Sequence, residues 1–306
     1  MRRFTSPLEP TIGIRHYLLG ILIVAFGLYV VSSVLMSLVV LARIPDPMEQ
    51  LAGKSVRELG SIFSKNEFFL LNMIPFAVGL LSVLFAAKVI FKRPFRSFLT
   101  ARSRFDFKRF FFSFSLWAIL TLVSFFITFI DFSHELVWNF QSDKFFYLLL
   151  IAVLFVPIQT GFEEVFFRGF LLQFFGKFTQ RGIYLVLING ILFGILHAMN
   201  PEIDKLGPFA IGYYIISGLF TTLITVMDDG LELSWGFHLA NNLFGIVIVS
   251  NDWQVIQTDA LFMDVSSPVL GWDMYVTMFL FYPLMILVFW LVYRWKNWNK
   301  LLLHSK

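Results

Sequence analysis

From Tyr17 to Ala42 the chain runs without a single Asp, Glu, Lys or Arg, and similar charge-free runs recur at 110–130 and 274–293. A soluble fold must cover its apolar interior with polar side chains, and stretches of this length leave it none to use. A bilayer imposes the opposite demand: about 20 helical residues free of charge cross a hydrocarbon core about 30 Å thick. Only 14% of the 306 residues are charged and 58% are hydrophobic, against about 25% and about 45–50% in ordinary soluble domains. Disorder, a coiled coil, a disulfide-rich secreted module and a soluble globular enzyme are therefore disfavoured. The pattern describes a multi-spanning membrane protein.

Eight segments are long enough to span: 17–42, 68–91, 110–130, 145–175, 183–200, 209–227, 231–250 and 274–293. Backbone polar groups cannot stay unpaired in lipid, so these segments are helices, and the alternation of a membrane β-barrel is absent. The expected fold is an all-α polytopic bundle of about eight transmembrane helices. It forms one integral membrane domain over 1–306. Arg2, Arg3 and Arg15 before the first run resemble a signal peptide. That run is longer than the usual h-region of about 7–15 residues, however, and no cleavage site is evident, so it reads as the first span. No internal repeat supports an inverted-repeat transporter.

Loop charges orient the bundle. The stretch from Lys88 to Arg109 holds eight Lys and Arg, and Arg2, Arg3, Arg15, Lys177, Arg181, Arg294, Lys296, Lys300 and Lys306 fall on the same side. The opposite side receives Arg43, Lys54, Arg57, Lys65, Lys144 and Lys205, and its loop before the last span carries Asp252, Asp259, Asp264 and Asp273 with no Lys or Arg. Both termini are then cytoplasmic. The net charge of +4 reflects this orientation and does not point to nucleic acid. Trp290, Tyr293, Trp295 and Trp298 fit an aromatic belt at the membrane surface, and Val56, Leu59, Ile62 and Phe63 are spaced for a short surface helix within 43–67. With no cysteine, disulfides, thiol nucleophiles and Cys-ligated metals are excluded. The expected localisation is a multi-pass position in a bacterial plasma membrane or, in a eukaryote, the endoplasmic reticulum.

Ionisable groups at a helix centre in lipid cost about 2.5–3.5 kcal/mol on insertion scales. Glu163, Glu164, Arg168, His197 and His238 nevertheless lie within spans four, five and seven. On a helix Glu164 and Arg168 are i and i+4 and can pair, while Glu163 is rotated by about 100° and lies one turn from Gln159. A packing reading makes both carboxylates partners of Arg168. The functional reading keeps Glu164–Arg168 as the structural pair and leaves Glu163 free as a general base. A lone His197 in an apolar helix is more often an interhelical hydrogen-bonder than a catalyst, and Gly190 and Gly194 beside it serve close helix approach first. His238 and Asn242, again i and i+4, can bridge helices, hold a metal or stabilise an oxyanion. Helix rise places Glu163 and His197 about 20 Å from the cytoplasmic ends of their spans and His238 about 10–12 Å in, so that all three can line one cavity open to the cytoplasm.

Glu163-Glu164-Val-Phe-Phe-Arg168, Phe193-Gly-Ile-Leu-His197 and His238-Leu-Ala-Asn-Asn242 together resemble the CPBP family of intramembrane proteases. That family includes Rce1-type CAAX prenyl endopeptidases and bacterial bacteriocin-immunity (Abi) proteins. The resemblance covers roughly 150–250 and implies a peptide-bond hydrolase whose catalytic core is the transmembrane helices at about 145–250. Glu163, helped by His197, would activate water, and His238 and Asn242 would stabilise the oxyanion. Glu164 and Arg168 would hold the helix, with Phe193 packing beside His197. Glu163, His197 and His238 could also make an open Zn²⁺ site, although His-Glu-x-x-His is absent and the same residues suffice without metal. The implied partners are membrane lipids and a membrane-associated or lipidated peptide, such as a prenylated CAAX-type C-terminus. The alternatives are a transporter using buried Glu and His as a proton relay, and a catalytically silent immunity or scaffold protein.

Overall fold

In the computed structural model, which describes residues 4–5, 12–44, 63–131, 135–296 and 298–302, nearly all regular structure is helical. Among the described residues, six helices are long and apolar enough to cross a membrane: α1 (Ile14–Arg43), α2 (Lys65–Val89), α3 (Phe107–Ile130), α4 (Ser142–Phe175), α7 (Phe209–Asp228) and α9 (Trp272–Tyr293). Between them lie α5 (Gly182–Leu196), the short α6 (Pro201–Leu206) and α8 (Glu232–Val247); α10 (Asn299–Leu302) follows. The outward faces stay apolar without protein to cover them. Tyr29, Ile130 and Phe279 are 77%, 78% and 69% exposed, a surface that only lipid tolerates over this extent.

The count of about eight spans is refined by α5 and α8. At 15 and 16 residues they are about 22–24 Å long, short of the full hydrocarbon thickness. Span five was expected to continue to residue 200, but Asn200 precedes Pro201, which disfavours helical backbone at that position. The helix accordingly ends at Leu196, with His197 as its C-cap. The surface helix expected within 43–67 falls largely outside the described residues.

Local chemistry sets other boundaries. Ser64 caps α2: its side chain accepts from the Glu67 N–H, while the Glu67 carboxylate accepts from the Ser64 N–H at 2.9 Å. Inside α2 the helix breaks at Met73, just before Pro75, which has no N–H to continue the ladder. Helix α4 carries Pro157, and its Val165–Leu171 stretch winds as a π-helix directly after the two glutamates. Such π-turns are frequent at functional sites.

Successive helices alternate in direction, so the connecting segments gather at two ends. At the end carrying 91–106, 176–181 and 229–231, buried Asp228 accepts from Arg102 (2.9 Å), from Arg109 and from Trp295 Nε1 (3.1 Å), and Arg102 also pairs with Glu232 at 3.1 Å. The Phe4 N–H donates to Asp229 there. At the other end a small sheet forms from β1 (Leu136–Trp138), β2 (Val249–Ser250) and β3 (Phe262–Asp264), in the order β1-β3-β2. β1 pairs antiparallel with β3, Leu136 opposite Asp264, and β2 pairs parallel with it, Val249 opposite Phe262. Helices α5 and α7 lie so close that a Cβ on Gly194 would meet the Ile215 backbone nitrogen at 2.6 Å, and one on Gly218 the Gly190 carbonyl oxygen at 2.5 Å. Gly190 and Gly194 thus take the packing role that their spacing indicates.

Candidate active site

Helices α4, α5, α7 and α8 surround a cavity of about 650 Å³ that Glu163, Glu164, Arg168, Phe193, His197, His238 and Asn242 all line. The two neighbouring glutamates point apart. Glu164 is fully buried and accepts from Arg168 Nη1 at 3.1 Å. The guanidinium also donates to Thr221 Oγ1 and lies 4.0 Å over the Phe193 ring, so a charge with no solvent has an anion, a hydroxyl and an aromatic face around it. Glu163 takes no part in that cluster. Its Oε1 accepts from Gln159 Nε2 at 2.7 Å, one turn back along α4. The packing reading, in which both carboxylates serve Arg168, is therefore not what the chain adopts.

His238 stands between the two carboxylates. Its Nδ1 lies 2.9 Å from Glu164 Oε1 and its Nε2 lies 3.7 Å from Glu163 Oε2. Glu164, ion-paired with Arg168, is an acceptor, so Nδ1 carries the proton and Nε2 faces Glu163. A gap of 3.7 Å is wider than a hydrogen bond and suits a water that touches both groups. His197, at the C-cap of α5, is oriented separately. Its Nδ1 donates to the Phe193 carbonyl at 2.8 Å, and its ring stacks on Tyr214 with centroids 4.5 Å apart. Phe193 packs beside it at 4.6 Å.

Asn242 donates to Gln159 Oε1 at 2.9 Å and accepts from Asn241 Nδ2 at 3.2 Å, and Asn241 in turn accepts from Trp117 Nε1 at 3.3 Å. A line of amides thus runs from Trp117 on α3 through α8 to Glu163 on α4, fixing the carboxylate from the side away from His238. One N–H of Asn242 remains for another acceptor. Sequence reasoning placed Gln159 near Glu163 but missed this link, along with Asn241, Trp117 and Tyr214. The available signal was a polar amide four residues before a buried carboxylate, which is hydrogen-bonding distance on a helix. Also unforeseen is Glu202 of α6, whose carboxylate accepts from the Tyr214 hydroxyl, from Asn200 Nδ2 (2.8 Å) and from the Val255 N–H (3.1 Å). That contact ties the loop after α8 to the aromatic ring that supports His197.

One expectation needs correction. A zinc site needs three donors about 2.0–2.2 Å from one point, and among the described residues no three His, Asp or Glu side chains gather in that way. Glu163, His197 and His238 share the cavity but not a common coordination centre, since Gln159 and Tyr214 orient the first two separately; they do not fit the metal. With His197 at the very end of α5, the connecting residues that line the cavity are Asn200, Glu202, Leu206 and 254–256, at the end opposite the Arg102–Asp228 cluster.

A family model described as "Type II CAAX prenyl endopeptidase Rce1-like" matches residues 142–244, from the start of α4 into α8. That span contains Glu163, His197, His238 and Asn242. A Bacillus subtilis protein described as "Uncharacterized protein YyaK" is similar at 32% identity over 254 residues, covering 80% of this chain and 81% of that one. No solved structure matches.

Proposed function

The chain belongs to the CPBP family, among its Rce1-like members, and from that premise we propose that it is an intramembrane endopeptidase working by a glutamate-activated water. The observation that carries this reading is the convergence of Glu163, His238 and Asn242 from two helices, with His197 from a third, on one largely buried cavity. Groups that are costly in lipid persist where they do chemistry.

In the proposed reaction Glu163, oriented by Gln159, takes a proton from a water lying between it and His238. The water oxygen attacks the scissile carbonyl carbon. The resulting oxyanion accepts from the free N–H of Asn242, with His238 held beside it by Glu164 at Nδ1; a donor aimed at such a developing charge supplies about 3–4 kcal/mol. Collapse breaks the C–N bond, and the proton held by Glu163 passes to the leaving amine. His197, with Nδ1 engaged by Phe193, presents Nε2 to assist the water or the leaving group. The substrate is a peptide segment of a membrane-associated protein, handled by a polytopic enzyme at the membrane.

The test is proteolysis by purified protein and by membranes. Glu163→Gln and His197→Ala should each lose cleavage by about 10²–10⁴-fold, the range for general acid–base groups. Both should remain inserted, with unfolding temperatures near that of the parent. Full activity in either variant would sink the assignment.

A further inference from the structure

The side from which the cavity is entered determines which peptides reach it, an inference that rests on the endopeptidase reading above. Every connecting segment that lines the cavity comes from one end of the bundle: Asn200, Glu202 and Leu206 after α5, and Gln254, Val255 and Ile256 after α8. No residue of 91–106, 176–181 or 229–231 lines it. That other end is closed by buried pairs, Arg102 and Arg109 with Asp228, Arg102 with Glu232, and Gln173 Nε2 on the Ser97 carbonyl at 2.9 Å.

Charge divides along the same axis. Among the described residues at the closed end there are fourteen Lys and Arg against four carboxylates, whereas the open end has four Lys and Arg against ten carboxylates. Short loops rich in Lys and Arg stay on the cytoplasmic side of a membrane. Cavity and basic loops being at opposite ends, we propose that the active site is entered from the extracytoplasmic side. Its substrate is then an extracytoplasmic peptide segment of an exported or membrane-anchored protein, carrying positive charge that complements the acidic rim. A lipidated C-terminus presented from the cytoplasm would meet the closed, basic end instead.

The chain has no cysteine, so each introduced one is its sole thiol. Asp204→Cys and Asp252→Cys lie on exposed positions at the open end, and Arg104→Cys and Lys108→Cys on exposed positions at the closed end. With a membrane-impermeant maleimide added to intact cells, the first two should be modified and the last two only after permeabilisation. The reverse pattern overturns the proposal, whatever the protein's activity. Gln254→Cys, exposed and at the mouth, measures the rim potential. Relative to a free thiol, its reaction should favour a cationic over an anionic methanethiosulfonate by roughly fivefold, the ratio that a rim potential of about 0.8 kT gives two reagents differing by two charges; a ratio of one removes the charge preference. Two single-span reporters carrying the same Lys-containing stretch, one outside and one inside, complete the test. Glu163-dependent cleavage of the outer one alone supports the proposal, and cleavage of the inner one alone overturns it. Cleavage unaffected by Glu163→Gln defeats the endopeptidase reading and leaves the thiol pattern to decide the orientation.

Discussion

Two adjacent carboxylates in one turn of α4 have different tasks because their neighbours differ. Glu164 is fully buried against Arg168, and removing one partner of such a pair leaves an uncompensated charge. Arg168→Ala should therefore lower stability by about 3–5 kcal/mol, seen as a large drop in unfolding temperature in detergent, whereas Glu163→Gln should scarcely move it. An equal effect of the two variants would contradict the division of roles. Gln159 offers a subtler measurement. Its amide links Asn242 to Glu163 at 2.9 and 2.7 Å, so Gln159→Leu keeps bulk but removes the orientation of the carboxylate. The expected result is a loss of roughly 10–100-fold in kcat with KM little changed, the signature of an interaction made in the transition state. At this scale the sequence was informative where spacing alone decides contact, as for Glu164 with Arg168, and the family resemblance added Phe193 beside His197. It was silent where contact depends on how helices pack, as for Trp117 with Asn241, 124 residues apart.

Helix positions were legible from charge-free runs, but helix ends were not. Hydropathy continues through His197 and Met199, so span five seemed to reach residue 200. Pro201 and the turn before it end α5 at Leu196, and Met199 is left 93% exposed. The three-stranded sheet at the open end was equally invisible, because strands of two or three residues carry no periodic signal. The α5–α7 contact was foreshadowed by Gly190 and Gly194, and it yields a prediction about function at a distance. A leucine at position 194 would have to occupy space now filled by Ile215, whose backbone nitrogen lies 2.6 Å from an added Cβ. Overpacking of this kind costs about 1–3 kcal/mol. Because His197 sits three residues on at the end of the same helix, Gly194→Leu should also reduce proteolysis beyond what the loss of folded protein explains. Specific activity per folded molecule, unchanged from the parent, would show that the helix position does not matter to His197.

Taken as a whole the bundle is closed at one end by charge and open at the other. The closing cluster has Asp228 at its centre, with a side chain 1% exposed and ligated by two arginines that are 26% and 20% exposed. Trp295, beyond α9, donates to the same carboxylate, so a single side chain ties the segment before α3, the end of α7 and the segment after α9. Asp228→Ala would remove one acceptor from two guanidinium groups and an indole N–H, although Glu232 would still hold Arg102 at 3.1 Å and Asp106 would still pair with Arg109 at 3.3 Å. A fully buried pair broken in this way costs about 3–5 kcal/mol; partial exposure of both arginines and the remaining glutamate bring the expected cost nearer 2 kcal/mol. None of this cluster lines the cavity. The variant should therefore unfold at a lower temperature in detergent while its kcat, measured well below that temperature, stays that of the parent. Loss of kcat at low temperature would mean that the two ends are coupled, and that the closed end does more than hold the helices together.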